Sequence, residues 1–124
     1  MTMERYDCLV VGAGIAGITA GIYLKRSNLT CLVLDKDAPG GKLNNIHRID
    51  NYPGVAKIAG PELAMSLYNQ ASELGVTFDY GAVSEVKKDM EMQQDYVVIG
   101  LQRVLSGDIS LTLYLKKLML NSLL

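Results

Sequence analysis

The stretch "CLVVGAGIAGITAG", residues 8 to 21, limits what this chain can fold into more than any other part of it. A short run rich in Val and Leu follows the charged "RYD" and meets Gly12-x-Gly14-x-x-Gly17. A helical pattern begins at once, with Ile15, Ile18 and Ile22 near 3.6-residue spacing. A strand must therefore turn directly into a helix through glycines. Gly12 allows the tight turn, Gly14 leaves backbone open to a bound group, and Gly17 lets the helix lie close to the strand. The start of such a helix offers unpaired N–H groups and the positive end of its dipole. Each anion contact there contributes about 0.3 to 1 kcal/mol, and up to ~2 in sheltered geometry, so a loop without charge can hold a phosphate.

The 17 uncharged residues from Cys8 to Leu24 approach the length of a membrane span, and Gly17-x-x-x-Gly21 would suit helix dimerisation. Four glycines crowding the run, and the pattern that follows it, argue against a membrane role. Lys25 and Arg26 favour the last turn of the helix and Asn28 can supply a left-handed stop. "TCLVLD" repeats the buried-strand composition, completing a strand, helix and strand of a parallel crossover unit. It ends at Asp35, 18 residues beyond Gly17, near the roughly 20 expected of an acid that accepts from a ribose hydroxyl. A carboxylate there repels a 2′-phosphate, which favours the adenosine of FAD or NAD over that of NADP. The alternative is a solvated acid at a strand end.

Residues 36 to 60 read as a long loop by their glycines, prolines and asparagines, and such a loop is usually functional. A second helix is expected at Pro61 and Glu62, with Leu63, Leu67, Ala71 and Leu74 on one face and Gly75 as its stop. "VTFDYGAVSEVKK" alternates as one or two strands. Beyond Asp89, "YVVIG" and "ISLTLYL" are plausible strands. Nine of the last 24 residues are leucine, as many as in the first 100. Two explanations stand: an antiparallel hairpin extending the sheet, or a Leu-rich tail foreign to the fold, such as an out-of-frame ending.

The chain has 124 residues, the size of one domain or part of one. Twelve basic against 13 acidic residues leave no basic block, and few aromatics are present, which argues against nucleic-acid binding. Cys8 and Cys31 form no CxxC and no His cluster accompanies them, so neither a disulfide scaffold nor a metal site is expected. They read as small buried residues on neighbouring strands, in a reducing cytoplasm. "MTMERYD" has no positive n-region of a signal peptide. His47 reads as a surface or outlying loop residue rather than a catalytic one.

"APGGKLNN" and "IDNYPG", together with the glycine motif and "GPELAMSLYNQASELGV", resemble the N-terminal FAD-binding segment of the low-molecular-weight thioredoxin reductase family, over about residues 6 to 88. The resemblance implies an α/β, Rossmann-like parallel sheet with crossover helices, forming an incomplete FAD-binding domain over residues 1 to 88, with 89 to 124 as strand extension or Leu-rich tail. It implies that Gly12, Gly14, Ile15, Ala16 and Gly17 hold the FAD pyrophosphate, and Asp35 and Lys36 the adenosine ribose. Gly40, Gly41, Lys42 and Leu43 would lie on the flavin side, Asn51 would contact the flavin, and Ala82 or Val83 would offer backbone to the adenine. Lys42 stands where the family often has Gln, and Ile15 where it commonly has Pro.

In that family an electron pair passes from NADPH through FAD to a Cys-x-x-Cys disulfide and on to a thioredoxin-like protein. The cysteines and the NADPH site lie in a second domain, and homodimers are usual. This sequence has no CxxC and no second glycine motif. The expectation is thus a truncated front portion without catalytic residues of its own. A non-catalytic nucleotide-binding product and an NAD-binding dehydrogenase half are the alternatives.

Overall fold

The computed structural model describes residues 2–88, 97–102 and 111–120. Strand β1 (Thr2–Val11) leads into helix α1 (Ile15–Arg26), and β2 (Cys31–Asp35) follows. A short 3-10 turn (Gly41–Asn45) precedes helix α2 (Gly60–Glu73), after which come β3 (Thr77–Tyr80), β4 (Ala82–Lys88), β5 (Val97–Gln102) and β6 (Leu111–Leu120). The sheet order is β3-β2-β1-β6-β5-β4. Strands β1, β2 and β3 are parallel, and β6 runs parallel to β1 on its other side. The β4, β5 and β6 pairings are antiparallel, so the chain returns to the parallel sheet through a meander.

The parallel pairing sets the core. Cys8 is in register with Cys31 and Val10 with Val33, and this side of the sheet packs against Ile18 and Ile22 of α1 and Leu63, Ala64, Leu67 and Ala71 of α2. Leu9, Leu32 and Leu34, which alternate with them, are also fully buried. Burial on both faces is what makes a parallel strand read as a continuous apolar run. Each such side chain contributes about 1.5 to 3 kcal/mol on burial. A Cβ on Gly21 would come within 3.1 Å of Val33 and Val76, so α1 makes its tight approach to β2 there.

Helix α1 ends as its sequence anticipates, with Lys25 and Arg26 in the last turn and Asn28 at φ 62. In α2, Gly60 is the first helical residue and Pro61 the second, and no side chain caps the helix. Leu63, Leu67 and Ala71 are buried; Leu74, expected on the same face, is instead the C-cap and is 38% exposed, because the helix stops one residue before it. The loop before α2 is more ordered than its composition suggests. Beyond the 3-10 turn, backbone bridges join Ile49 to Ile58 and Tyr52 to Val55 around the Pro53 and Gly54 turn. Leu43 and Ile49 anchor this segment in the core.

"VTFDYGAVSEVKK", expected as one or two strands, forms two, β3 and β4, divided at Gly81. The described part of the Leu-rich end is strand. Leu111 to Leu120 pairs along β1 from Thr2 to Val11 and forms an antiparallel pair with β5. Tyr96, Ile109 and Ser110 of the expected strands lie outside the described residues. Among the described residues, no helix is long and apolar enough to cross a membrane, and no cluster of His, Cys, Asp or Glu could hold a metal ion.

Candidate dinucleotide site

The site forms where β1 and β2 end. Gly12 adopts φ 104, a left-handed conformation that side chains avoid, and its N–H donates to the Leu34 carbonyl at 2.7 Å. The chain reverses there and enters α1 with Gly14 as an extended N-cap that has no side-chain hydrogen bond. The first backbone bond of the helix runs from the Ile18 N–H to the Gly14 carbonyl at 3.0 Å. Among the described residues, the N–H groups of Ile15, Ala16 and Gly17 therefore have no partner, the usual deficit of a helix start. No cap fills it, which is what an anion-binding helix start requires.

Asp35 faces this turn from the end of β2. Its Oδ2 accepts from the Ala13 N–H at 2.7 Å and its Oδ1 from the Asp37 N–H at 2.9 Å. A carboxylate has about four lone-pair positions, so each oxygen retains capacity for a ligand hydroxyl. Asp35 is thus also the clasp that ties the glycine turn to the neighbouring strand. The Ala13 carbonyl in turn accepts from the Gly40 N–H at 2.6 Å. Gly40 takes φ 108 and is buried against α2, where a Cβ would collide with that of Ala64. Gly41 lies against Gly14, its would-be Cβ 3.7 Å from the Gly14 Cα. The Asn44 Nδ2 holds this loop by donating to the Pro39 carbonyl at 3.1 Å. The two glycine clusters, 28 residues apart in the chain from Gly12 to Gly40, form one wall.

Two adjoining hollows open along that wall. The first, about 470 Å³, is lined by Gly12, Gly14, Ile15, Ala16, Asp35, Gly40, Gly41, Lys42, Leu43 and Ile46. The second, about 580 Å³, is lined by Val11, Gly12, Leu34, Asp35, Lys36, Asp37, Gly41, Lys42, Asn45, Gly81 and the first two residues of β4, Ala82 and Val83. Each lies within the usual size range of small-molecule sites. Twelve of the 14 residues that sequence reading named thus line a single two-part groove. Gly17 is buried behind the helix start rather than lining it, and Asn51 is exposed in the small hairpin and lines neither hollow. His47 is likewise exposed and outside the groove.

Sequence reading missed Ala13, whose N–H and carbonyl join the two glycine clusters, because it occupies an unspecified position of the motif. It also missed Asp37, Asn45, Ile46 and Gly81. Only Gly81 carried a local signal, as the break between two alternating runs. Cys8 and Cys31 are buried register partners and neither is in a disulfide. Burial raises the Cys31 thiol above its ordinary value of 9.0, and the charge of Lys25 opposes that rise.

The profile of the NAD(P)-binding Rossmann-like domain family matches residues 10–84. The thioredoxin reductase of Bacillus subtilis (strain 168) is 41% identical over 87 residues, which are 69% of this chain and 28% of that protein. The crystal structure of thioredoxin reductase from Streptococcus pyogenes MGAS5005 is similar with a TM-score of 0.80 at 34% identity, covering 94% of this chain and 34% of that one. Lactococcus lactis thioredoxin reductase, in its FR conformation, gives a TM-score of 0.80 at 35% identity over 93% of this chain and 34% of that one. The chain spans about a third or less of the length of these relatives, and its backbone likeness reaches further along it than the sequence match. From the glycine turn through the second helix to the first residues of β4, the chain belongs to the NAD(P)-binding Rossmann-like domain family.

Proposed function

We propose that this chain is the FAD-binding portion of a thioredoxin-reductase-like flavoprotein. The observation that carries the reading is the uncapped start of α1, whose unpartnered N–H groups open on a two-part groove with a carboxylate between its halves. The residues fit the group. The turn from Gly12 to Gly17 carries no charged side chain and offers its unpartnered N–H groups where a phosphate would approach, and the two hollows suit the two nucleotide halves.

Gly12, Gly14, Ile15, Ala16 and Gly17 hold the pyrophosphate through their backbone. Asp35 accepts from the adenosine ribose with Lys36 beside it, and Ala82 and Val83 present backbone to the adenine. Gly40, Gly41, Lys42 and Leu43 border the flavin half, and Asn51 approaches the flavin from the small hairpin. When bound, FAD supplies a ring that takes up and passes on an electron pair. The residues of this chain bind and orient it. In this reading residues 1 to 88 are the binding portion, and beyond them the described strands β5 and β6 extend the sheet.

The full reaction, from NADPH in a second domain through FAD to a disulfide of a thioredoxin-like protein, belongs to the longer proteins this chain resembles, as does homodimer formation. A reducing, cytoplasmic setting agrees with two buried cysteines outside any disulfide, and the near-neutral charge balance agrees with the absence of a nucleic-acid or membrane partner.

The test is direct: the purified chain is examined for visible flavin absorption and titrated with FAD. Uptake of FAD supports the reading, and a colourless chain that ignores added FAD overturns it. NAD in the same groove is the second reading, favoured by the description of the matching family. Comparing the thermal shifts that FAD and NAD produce at equal concentration separates the two.

A further inference from the structure

We propose that Lys42 supplies the counter-charge for the pyrophosphate of the bound dinucleotide; the inference rests on the FAD reading of the groove. Four residues line both hollows, namely Gly12, Asp35, Gly41 and Lys42, and they mark the waist between them. A dinucleotide lying along the groove places its middle, the pyrophosphate, at that waist. The helix start offers only about half a positive charge, whereas the ligand brings a dianion and Asp35 adds a further negative charge beside it. Lys42 is the one cation among the four residues.

Among the described residues Lys42 is in no ion pair. Its side chain is exposed, and the ion pair among the described residues joins Arg48 to Asp50, both outside the groove. Lys36 lines the second hollow alone, and Lys57 lines neither. Lys42 therefore borders the flavin half at its pyrophosphate end, and its four-carbon stem lets the ammonium reach a phosphate oxygen from either side of the waist.

The test titrates the full chain and its Lys42→Gln, Lys42→Arg and Lys57→Gln variants with FAD, ADP-ribose and adenosine, at low and high sodium chloride. Lys42→Gln should weaken FAD and ADP-ribose binding about fivefold at low salt, roughly 1 kcal/mol. It should flatten their salt dependence and leave adenosine binding unchanged. Lys42→Arg should restore most of the affinity, and Lys57→Gln should follow the parent chain. Equal FAD affinity and equal salt dependence in Lys42→Gln would overturn the proposal, as would equal losses in Lys42→Gln and Lys57→Gln, the mark of a diffuse field. If the parent chain binds none of the three probes, the FAD reading of the groove fails and takes this proposal with it. If the parent binds FAD and Lys42→Gln binds it equally well, only the role of Lys42 is lost.

Discussion

Replacing Asp35 by Asn changes one atom of the clasp between the glycine turn and β2, and its cost can be worked from the contacts. Both carboxylate oxygens accept backbone N–H groups, from Ala13 at 2.7 Å and Asp37 at 2.9 Å. Asn keeps one acceptor and turns an NH2 donor toward the other N–H. A hydrogen bond to a charged group contributes about 1.5 to 3 kcal/mol, and solvent screening in the half-buried setting of Asp35 reduces the loss to about 1 to 2 kcal/mol. At roughly 4 °C per kcal/mol for a chain of this size, Tm should fall by about 4 to 8 °C. Loss of the ribose acceptor should also weaken FAD by about tenfold. Thermal unfolding with and without FAD reads both effects, because the ligand-induced shift reports affinity. An unchanged Tm would refute the clasp. A lowered Tm with the full FAD-induced shift would refute the ribose contact and leave Asp35 a purely structural residue.

Other perturbations probe other parts of the account. Gly60→Ala would drive a methyl group into the Leu43 carbonyl oxygen, where α2 begins against the 3-10 turn; the expected loss is about 1 to 3 kcal/mol, read as a lowered urea midpoint, and an unchanged midpoint would disprove that contact. Cys31 should resist a thiol reagent in the folded chain and react on unfolding, since it is 4% exposed; rapid native-state labelling would contradict the packing. Burial holds the Cys31 thiol protonated above its ordinary value, so the unfolded chain loses that proton first as pH rises. Its contribution to stability is full below about pH 9 and declines above it. Urea midpoints measured on the alkaline side should fall less steeply in Cys31→Ala than in the parent chain.

Much of the site was legible because the determinants are local. The strand, the turn at Gly12 and the helix over residues 15 to 26 follow from a Val and Leu run, three spaced glycines and a 3.6-residue apolar repeat, all within one stretch of chain. Asp35 was legible from its distance beyond Gly17, yet its bond to Ala13 was not, since that depends on two strand ends meeting in space. The same holds for the Gly40 bond to Ala13 and for the contact of Gly41 with Gly14. Leu74 misled because helical periodicity predicts a face but not the residue at which the helix stops. The small hairpin inside the loop from 36 to 60 was not legible, because bridges such as Ile49 to Ile58 leave no repeat in so short a segment. The place of β6 beside β1 was hidden too, because alternation identifies a strand without naming its neighbour.

The central claim is that the backbone N–H groups at the start of α1 receive the phosphates of FAD. Amide chemical shifts of the isotope-labelled chain, followed by NMR during titration with FAD, test it residue by residue. Saturable shifts should concentrate at Gly14, Ile15, Ala16 and Gly17, with smaller ones at Gly41 and Ala82. FAD binding that leaves the amides of residues 14 to 17 unmoved, while shifting others elsewhere, would contradict it.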